Sequence, residues 1–352
     1  MITKKGLNAE DAEVSRGTRR TRARASRAFL FLCVLCASSA PSALKPSGGA
    51  ARAADEVTYL LPAPVFLPAF GPWMVAQQRG YYAAEGLAVT FESGKGGVDT
   101  AKQVGAGNAL IGGAIGDTPI IVRANGVPVR AVALLGGGSL SQLVVLDGSP
   151  IKGPADLKGK TITTMAYQDT TFYALLGMLA KVGLTKNDVE AQAVGPANVW
   201  KLLVAGKADA MIAVPDWTGD AIEAGAKVTI IPADDYFQSM AQVVVASDDA
   251  IQKQPDKIRR LVRATIKGVQ AVIDDPAAAA RDYVKAVPQH AGKEAAMQRV
   301  FELYVKYVYR GQSPLGPMDV PRLTALQDFY LKQGIIERAT SVDQLYTDQF
   351  VK

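Results

Sequence analysis

Residues 103–117 read Q-V-G-A-G-N-A-L-I-G-G-A-I-G-D, and residues 202–216 read L-L-V-A-G-K-A-D-A-M-I-A-V-P-D. Five of the fifteen positions are identical at a spacing of 99 residues: Ala106/Ala205, Gly107/Gly206, Ala109/Ala208, Ala114/Ala213 and Asp117/Asp216. Each stretch reads as a helix end, a glycine suited to the turn that closes a helix, a short apolar strand and a polar loop. The same unit written twice predicts two similar α/β lobes with a cleft between them. Ligands of open α/β sheets bind beyond the carboxyl ends of the strands. Asp117 and Asp216 fall at that edge, one from each lobe.

The flanks of the repeat read as further alternation of strand and helix. Val57–Leu61 reads as a strand, followed by a loop rich in proline and aromatics over 62–72. Pro72 suits the first turn of a helix that runs to about Gln78 and is closed by Gly80. Ala88–Phe91 alternates as a strand. Leu143–Leu146 is a short apolar strand, and the turn-rich stretch 147–160 marks the first crossing between lobes. Thr161–Met165 opens the second lobe, and Phe172, Leu175, Leu176 and Leu179 form the apolar stripe of the next helix. Met211–Val214 and Val228–Ile231 read as strands. Val243–Val245 reads as the return crossing, expected to pair with Leu143–Val145. The remainder reads as helical, with Ile258, Leu261, Val262, Ile266, Val269 and Ile273 on one stripe.

The first 53 residues read as an export signal. Arg16 to Arg27 form a basic region, Ala28–Ala40 an apolar region too short for a comfortable membrane span, and Ala51-Arg52-Ala53 a cleavage pattern. The expected organisation is therefore a signal over 1–53, lobe one over 54–145 and lobe two over 146–243. The chain then returns to lobe one over 244–352.

Excluding the signal changes the charge. The whole chain carries 39 Lys+Arg against 33 Asp+Glu, but residues 54–352 carry 29 against 30. The basic excess sits in the signal and gives no support for nucleic-acid binding. Both cysteines, Cys33 and Cys36, lie there too, and the one histidine is His290. Residues 54–352 thus offer no disulfide, no thiol nucleophile and no histidine cluster for a metal or a triad. No cofactor is expected. Gly94-Lys95-Gly96-Gly97 lacks the spacing of a phosphate-binding loop, and Gly105-Ala106-Gly107 lacks the third glycine of a dinucleotide fingerprint.

Gly80–Phe91 reads G-Y-Y-A-A-E-G-L-A-V-T-F, Pro154–Ile162 reads P-A-D-L-K-G-K-T-I, and Ala205–Ala210 reads A-G-K-A-D-A. In this order and spacing the three resemble the periplasmic substrate-binding proteins of the nitrate/sulfonate/taurine and thiamine-pyrimidine-precursor group, over about residues 55–330. One departure is Asn108-Ala109-Leu110, where the group more often has an acidic residue. The resemblance implies a type II periplasmic binding protein fold, two α/β lobes joined by two hinge crossings around a ligand cleft. It also implies a periplasmic receptor serving an ABC importer, a permease with its ATPase; a monomer is expected because the helical faces read as amphipathic with no large spare apolar stripe. A sensing role toward a membrane partner is a second reading. A pyrimidine-precursor synthase is a third, which the absence of cysteine and the single histidine in residues 54–352 disfavour.

The cleft residues follow from the loops beyond the strands. Lobe one offers Phe66, Phe70, Trp73, Asp117, Thr118, Gly137, Gly138 and Ser139. Lobe two offers Tyr167, Asp169, Thr170, Thr171, Asp216, Trp217 and Tyr236. The aromatics suit stacking of a planar ligand. Gly137, Gly138, Thr170 and Thr171 are placed to offer backbone N–H groups to an anion. Asp169 or Thr170 equally suits simple capping of the helix that follows, and Trp73 equally suits the core. Asp117 and Asp216 read either as helix caps or as acceptors for a ligand with N–H donors. An aromatic or N-heterocyclic ligand bearing an amino group is expected first and an aminosulfonate second, with bare nitrate last.

Overall fold

The computed structural model describes residues 53–351, so the export signal up to Ala51-Arg52 lies outside the described residues. The first lobe opens with β1 (Asp55–Leu61), α1 (Gly71–Gln78), α2 (Tyr81–Ala84) and β2 (Leu87–Ser93). It continues through α3 (Gly97–Gly105), β3 (Ile111–Ile115), α4 (Thr118–Ala124) and β4 (Val129–Leu135). After β5 (Gln142–Leu146) come β6 (Thr161–Thr164), α5 (Thr170–Lys181), β7 (Glu190–Ala193), α6 (Val199–Val204), β8 (Ala210–Ala213), α7 (Pro215–Glu223) and β9 (Val228–Ile231). The chain returns through β10 (Gln242–Ser247) to α8 (Asp248–Lys253), α9 (Pro255–Asp274), α10 (Pro276–Ala286), α11 (Glu294–Tyr307) and α12 (Val320–Lys332).

The repeat is structural. One five-stranded sheet has the order β2-β1-β3-β10-β4 and the other β7-β6-β8-β5-β9. In each, two parallel βα steps precede an antiparallel fourth strand. Gly107 and Gly206 both adopt positive φ, at 82° and 66°, and close the helices before β3 and β8. That backbone region costs a glycine little and other residues more.

One expectation is corrected. The crossing strands β5 and β10 do not pair with each other. Each pairs inside the sheet on its far side: β5 lies antiparallel between β8 and β9, and β10 between β3 and β4. All six residues of β10 are buried. A strand covered on both faces reads as an unbroken apolar run rather than an alternating one, so its pattern does not reveal its neighbours.

Helices cover both sheets. The core of the first lobe joins β1, β3, β4 and β10 to α1, α9, α10 and α11 through residues such as Tyr59, Trp73, Leu261, Tyr283 and Phe301. The second sheet carries one cluster on each face, around Leu175 and Ile212 and around Leu203 and Met211. The stripe on α9 buries Ile258, Leu261, Val262 and Val269 as expected, while Ile266 and Ile273 are only partly covered. Among the described residues no helix is long and apolar enough to cross a membrane.

The crossings are held by polar groups. Asp234, in the last turn before β10, accepts from the Ser139 hydroxyl at 2.6 Å, from Arg322 at 2.6 Å and from Arg310 at 3.1 Å. Arg322 also donates to the Gly137 carbonyl. The glycines before Ser139 pack backbone to backbone on residues 307–311: Gly137 N–H donates to Arg310 O and Gly138 N–H to Val308 O, both at 2.9 Å. A Cβ at Gly138 would stand 1.9 Å from the Tyr307 carbonyl oxygen. Gly138→Ala is therefore expected to cost more than about 2 kcal/mol in urea unfolding, because backbone must move to admit it. A loss below about 0.5 kcal/mol would show that residues 307–311 yield freely.

Candidate functional site

The two repeated aspartates end up buried and bonded to tyrosines of the C-terminal helices. Asp117 is 2% exposed, and its Oδ2 accepts from the Tyr330 hydroxyl of α12 at 2.5 Å. Its Oδ1 is buried with no hydrogen-bond partner among the described residues. Asp216 is 7% exposed, and its Oδ1 accepts from the Tyr304 hydroxyl of α11 at 2.9 Å. Its Oδ2 accepts from Ala69 N–H at 3.1 Å. Neither side chain caps its own helix. Burial pushes both carboxyls up to about 7, against the pull of the tyrosine bonds, and the nearby Asp169 charge adds to the rise at Asp117.

The Ala69 peptide is clamped on both sides. Its N–H reaches Asp216 of the second lobe, while its carbonyl accepts from Gln242 Nε2 of β10 at 2.9 Å. Gln142 holds the matching place at the start of β5, donating to Ser139 O at 2.7 Å and accepting from Ala233 N–H at 2.9 Å. A cavity of about 860 Å³ opens between α5 and the first lobe, lined by Val98, Ile121, Tyr167, Phe172, Tyr173 and Ile335 among others. Tyr173 is one of its lining rings. The Tyr173 ring meets the Tyr330 ring edge-on at 5.3 Å, and Tyr330 in turn holds Asp117. Burial raises the Tyr173 hydroxyl, with the charges of Asp117 and Asp169 contributing.

Residues 67–279 match the family described as NMT1/THI5 like, well over half of the chain. The chain belongs to this family. The riboflavin-binding protein RibY of Chloroflexus aurantiacus is 24% identical over 291 residues, covering 80% of this chain and 82% of that protein. The 4-amino-5-hydroxymethyl-2-methylpyrimidine phosphate synthase THI13 of Saccharomyces cerevisiae is 26% identical over 253 residues, covering 67% and 72%. The periplasmic aliphatic sulphonate binding protein SsuA of Escherichia coli has a similar structure. Its TM-score is 0.67 at 15% identity, covering 84% of this chain and 93% of that one. The fold is the two-lobed α/β architecture of periplasmic binding proteins, as the sequence resemblance implied.

The sequence-derived site residues scatter more than expected. Asp117, Thr118 and Asp216 lie at the strand edge, with Thr118 against Gly97. Asp169 caps α5, accepting from Thr171 N–H at 2.9 Å and from its hydroxyl at 2.6 Å. Thr171 N–H is thereby committed to the cap; Thr170 is the residue between. Gly137 and Gly138 are not anion donors, because residues 308–310 already take their N–H groups. Ser139 belongs to the crossing with Asp234.

Of the six aromatics, Tyr167 lines the cavity, with its hydroxyl on Ala191 O at 3.0 Å. Phe66 is 39% exposed, and its carbonyl accepts from Tyr283 and from His290 Nε2. Phe70 and Trp73 pack edge-on at 5.9 Å in the core, because α1 is roofed by α9, where Gly268 comes against Pro72. Trp217 is partly buried and packs against the second-lobe cluster that contains Leu203 and Met211, whereas Asp216 beside it faces the first lobe. Tyr236 sits over Gly153 within the second lobe. Tyr173, Tyr304, Tyr330, Gln142 and Gln242 were not read as site residues. The pair Q-L-V-V at 142–145 and Q-V-V-V at 242–245 is a signal that finds the two glutamines.

The raised carboxyls fix a sign. The folded chain binds more protons than the unfolded chain between pH about 4 and 7, so these groups lower stability as pH rises through that window. Asp216→Asn removes one of them. The fall in unfolding free energy between pH 5 and 7 is expected to become shallower, by at most about 1.4 kcal/mol per pH unit. Urea melts at pH 5, 6 and 7 measure it, and an unchanged slope would mean that Asp216 ionises as an ordinary carboxylate.

Proposed function

We propose that this chain is an exported solute-binding receptor that takes a small organic ligand between its lobes and presents it to a membrane importer. The observation that carries this reading is the cavity between α5 and the first lobe. It is walled by the rings of Tyr167, Phe172 and Tyr173 and by both aliphatic and polar side chains, Lys186 among them, with buried acceptors behind one wall. Closure of two lobes around a ligand is the hinge mode that such an architecture permits. Periplasmic residence follows from the export signal read in residues 1–53 and from the compartment named for the sulphonate-binding neighbour. A permease with its ATPase is the partner that this role requires.

The proposed ligand class is a planar N-heterocycle with an amino group. Tyr167 and Tyr173 supply ring faces, and the unpaired Asp117 oxygen behind Tyr173 offers an acceptor to an amino group. The names of two relatives, one binding riboflavin and one producing an aminopyrimidine phosphate, point the same way. An aminosulfonate stands second. A synthase role is the reading that the yeast relative favours. Against it, residues 54–352 hold no cysteine, and His290 already bonds the Phe66 carbonyl at 2.8 Å.

The test is the thermal midpoint of the purified protein against a panel of aminopyrimidines, flavins, aryl and alkyl sulfonates, taurine and nitrate. A ligand that binds only the folded state raises the midpoint in a saturable way. Failure of every class would sink the reading, and release of a phosphorylated pyrimidine would favour the synthase. For whichever class binds, Tyr173→Ala is expected to weaken affinity by about tenfold, or about 1.4 kcal/mol. Calorimetry showing unchanged affinity would move the ligand away from α5.

A further inference from the structure

We infer that the two equivalent aspartates have divided their work. Asp117 reads a hydrogen-bond donor on the ligand, and Asp216 fastens the lobes to each other. The first half of this rests on the receptor reading above; the second half does not.

Both oxygens of Asp216 already have a donor. Its two oxygens take Ala69 N–H at 3.1 Å and the Tyr304 hydroxyl at 2.9 Å, and both donors belong to the first lobe. The helix behind it is seated closely. A Cβ at Gly219 would stand 2.4 Å from the Val300 side chain of α11, and Arg299 pairs with Glu223 one turn further on. Ligand access to this carboxyl would require α7 to leave α11.

Asp117 is the opposite case. Tyr330 takes Oδ2, while Oδ1 is buried without a donor among the described residues. A buried acceptor left unpaired is costly, so a ligand N–H placed there gains more than it would at a solvated carboxylate. Asp169, from the second lobe, is close enough to add to the charge felt at Asp117. Tyr173, whose hydroxyl feels both carboxyls, forms the adjoining cavity wall. The unpaired oxygen of Asp117 accepts an amino or amidine N–H, which a sulfonate or carboxylate group cannot offer. A site built around a hydrogen bond rejects the analogue that lacks the donor more strongly than a purely apolar pocket does.

The experiment uses matched compounds with and without an amino group: adenine against purine, an aminopyrimidine against its deamino parent, and taurine against ethanesulfonate. In the wild-type protein at least one amino member is expected to bind about tenfold tighter than its partner. Asp117→Asn is expected to reduce that preference to less than about threefold, and Asp117→Ser gives the same comparison should the asparagine fail to fold. Asp216→Asn is expected to keep the preference. In the absence of added compound it should raise the radius of gyration in small-angle scattering and lower the thermal midpoint.

A preference that survives in both Asp117 variants overturns the ligand half while leaving the receptor reading intact. Unchanged scattering and midpoint in Asp216→Asn overturn the fastening half. Absence of binding by every pair overturns the receptor reading for these compounds together with the ligand half, while the scattering result still decides the other.

Discussion

A carboxyl group taken out of water must be paired or must hold a proton, and the place where the two lobes meet contains two of them. Each is met by a phenol. Tyr330 of α12 reaches Asp117, and Tyr304 of α11 reaches Asp216. A neutral donor satisfies a lone pair without supplying a counter-charge, so burial dominates and both carboxyls rise to about 7. The hinge side is built differently. There Asp234 meets two guanidinium groups, Arg322 and Arg310, as well as Ser139. Charge pairs hold the crossing, and neutral hydrogen bonds hold the cleft. The C-terminal helices supply both kinds of partner, so they tie the lobes together as well as covering one sheet.

The exchange of strands makes the lobes interdependent. Each sheet takes its antiparallel fourth strand from chain that has just left the other. In the first sheet β10 runs between β3 and β4, so Val243 lies opposite Ala114 on one side and Leu134 on the other. In the second, β5 sets Leu143 between Ile212 and Ile231. Both strands begin with a buried glutamine whose amide reaches beyond its own ladder, to Ala69 from Gln242 and to Ala233 from Gln142. Those bonds join the crossings to the loops at the cleft edge. Movement of one lobe therefore acts on the other through hydrogen-bonded backbone as well as through apolar contact.

Much of this was legible in the chain. The repeat at 99-residue spacing, the closing glycines, the apolar stripes of α5 and α9 and the short crossing strands are local patterns, and local patterns are what sequence periodicity reports. The partners were not legible, because partnership is not local. Gly137 and Gly138 look like free donors until residues 308–310, some 170 positions later, take their N–H groups. Val243–Val245 is apolar throughout and carries no mark of which strands flank it. Tyr304 and Tyr330 sit in helices whose spacing reads as core, and their rings are core; only their hydroxyls belong to the site. Trp73 takes the core place that its helix also suited, and Trp217 packs against the second-lobe cluster, since adjacency to a predicted loop says nothing about which neighbour claims the ring.

Why the two copies differ can be traced to one position. Three residues after each aspartate the first repeat has Ile120 and the second has Gly219. Ile120 is fully buried and packs into the core of its own lobe, so α4 keeps its apolar side for the first sheet. Gly219 has no side chain, and Val300 of α11 occupies the space that a Cβ would need. The absence of one carbon thus lets α11 come down on α7 and bring Tyr304 to Asp216. On the other side, Tyr173 and Tyr330 stand between α5 and α12, and two rings meeting edge-on hold helices apart where a glycine would draw them together. The cavity opens beside those rings. A bulky side chain at one contact and a bare backbone at the other turn a nearly symmetric repeat into one packed seam and one open pocket.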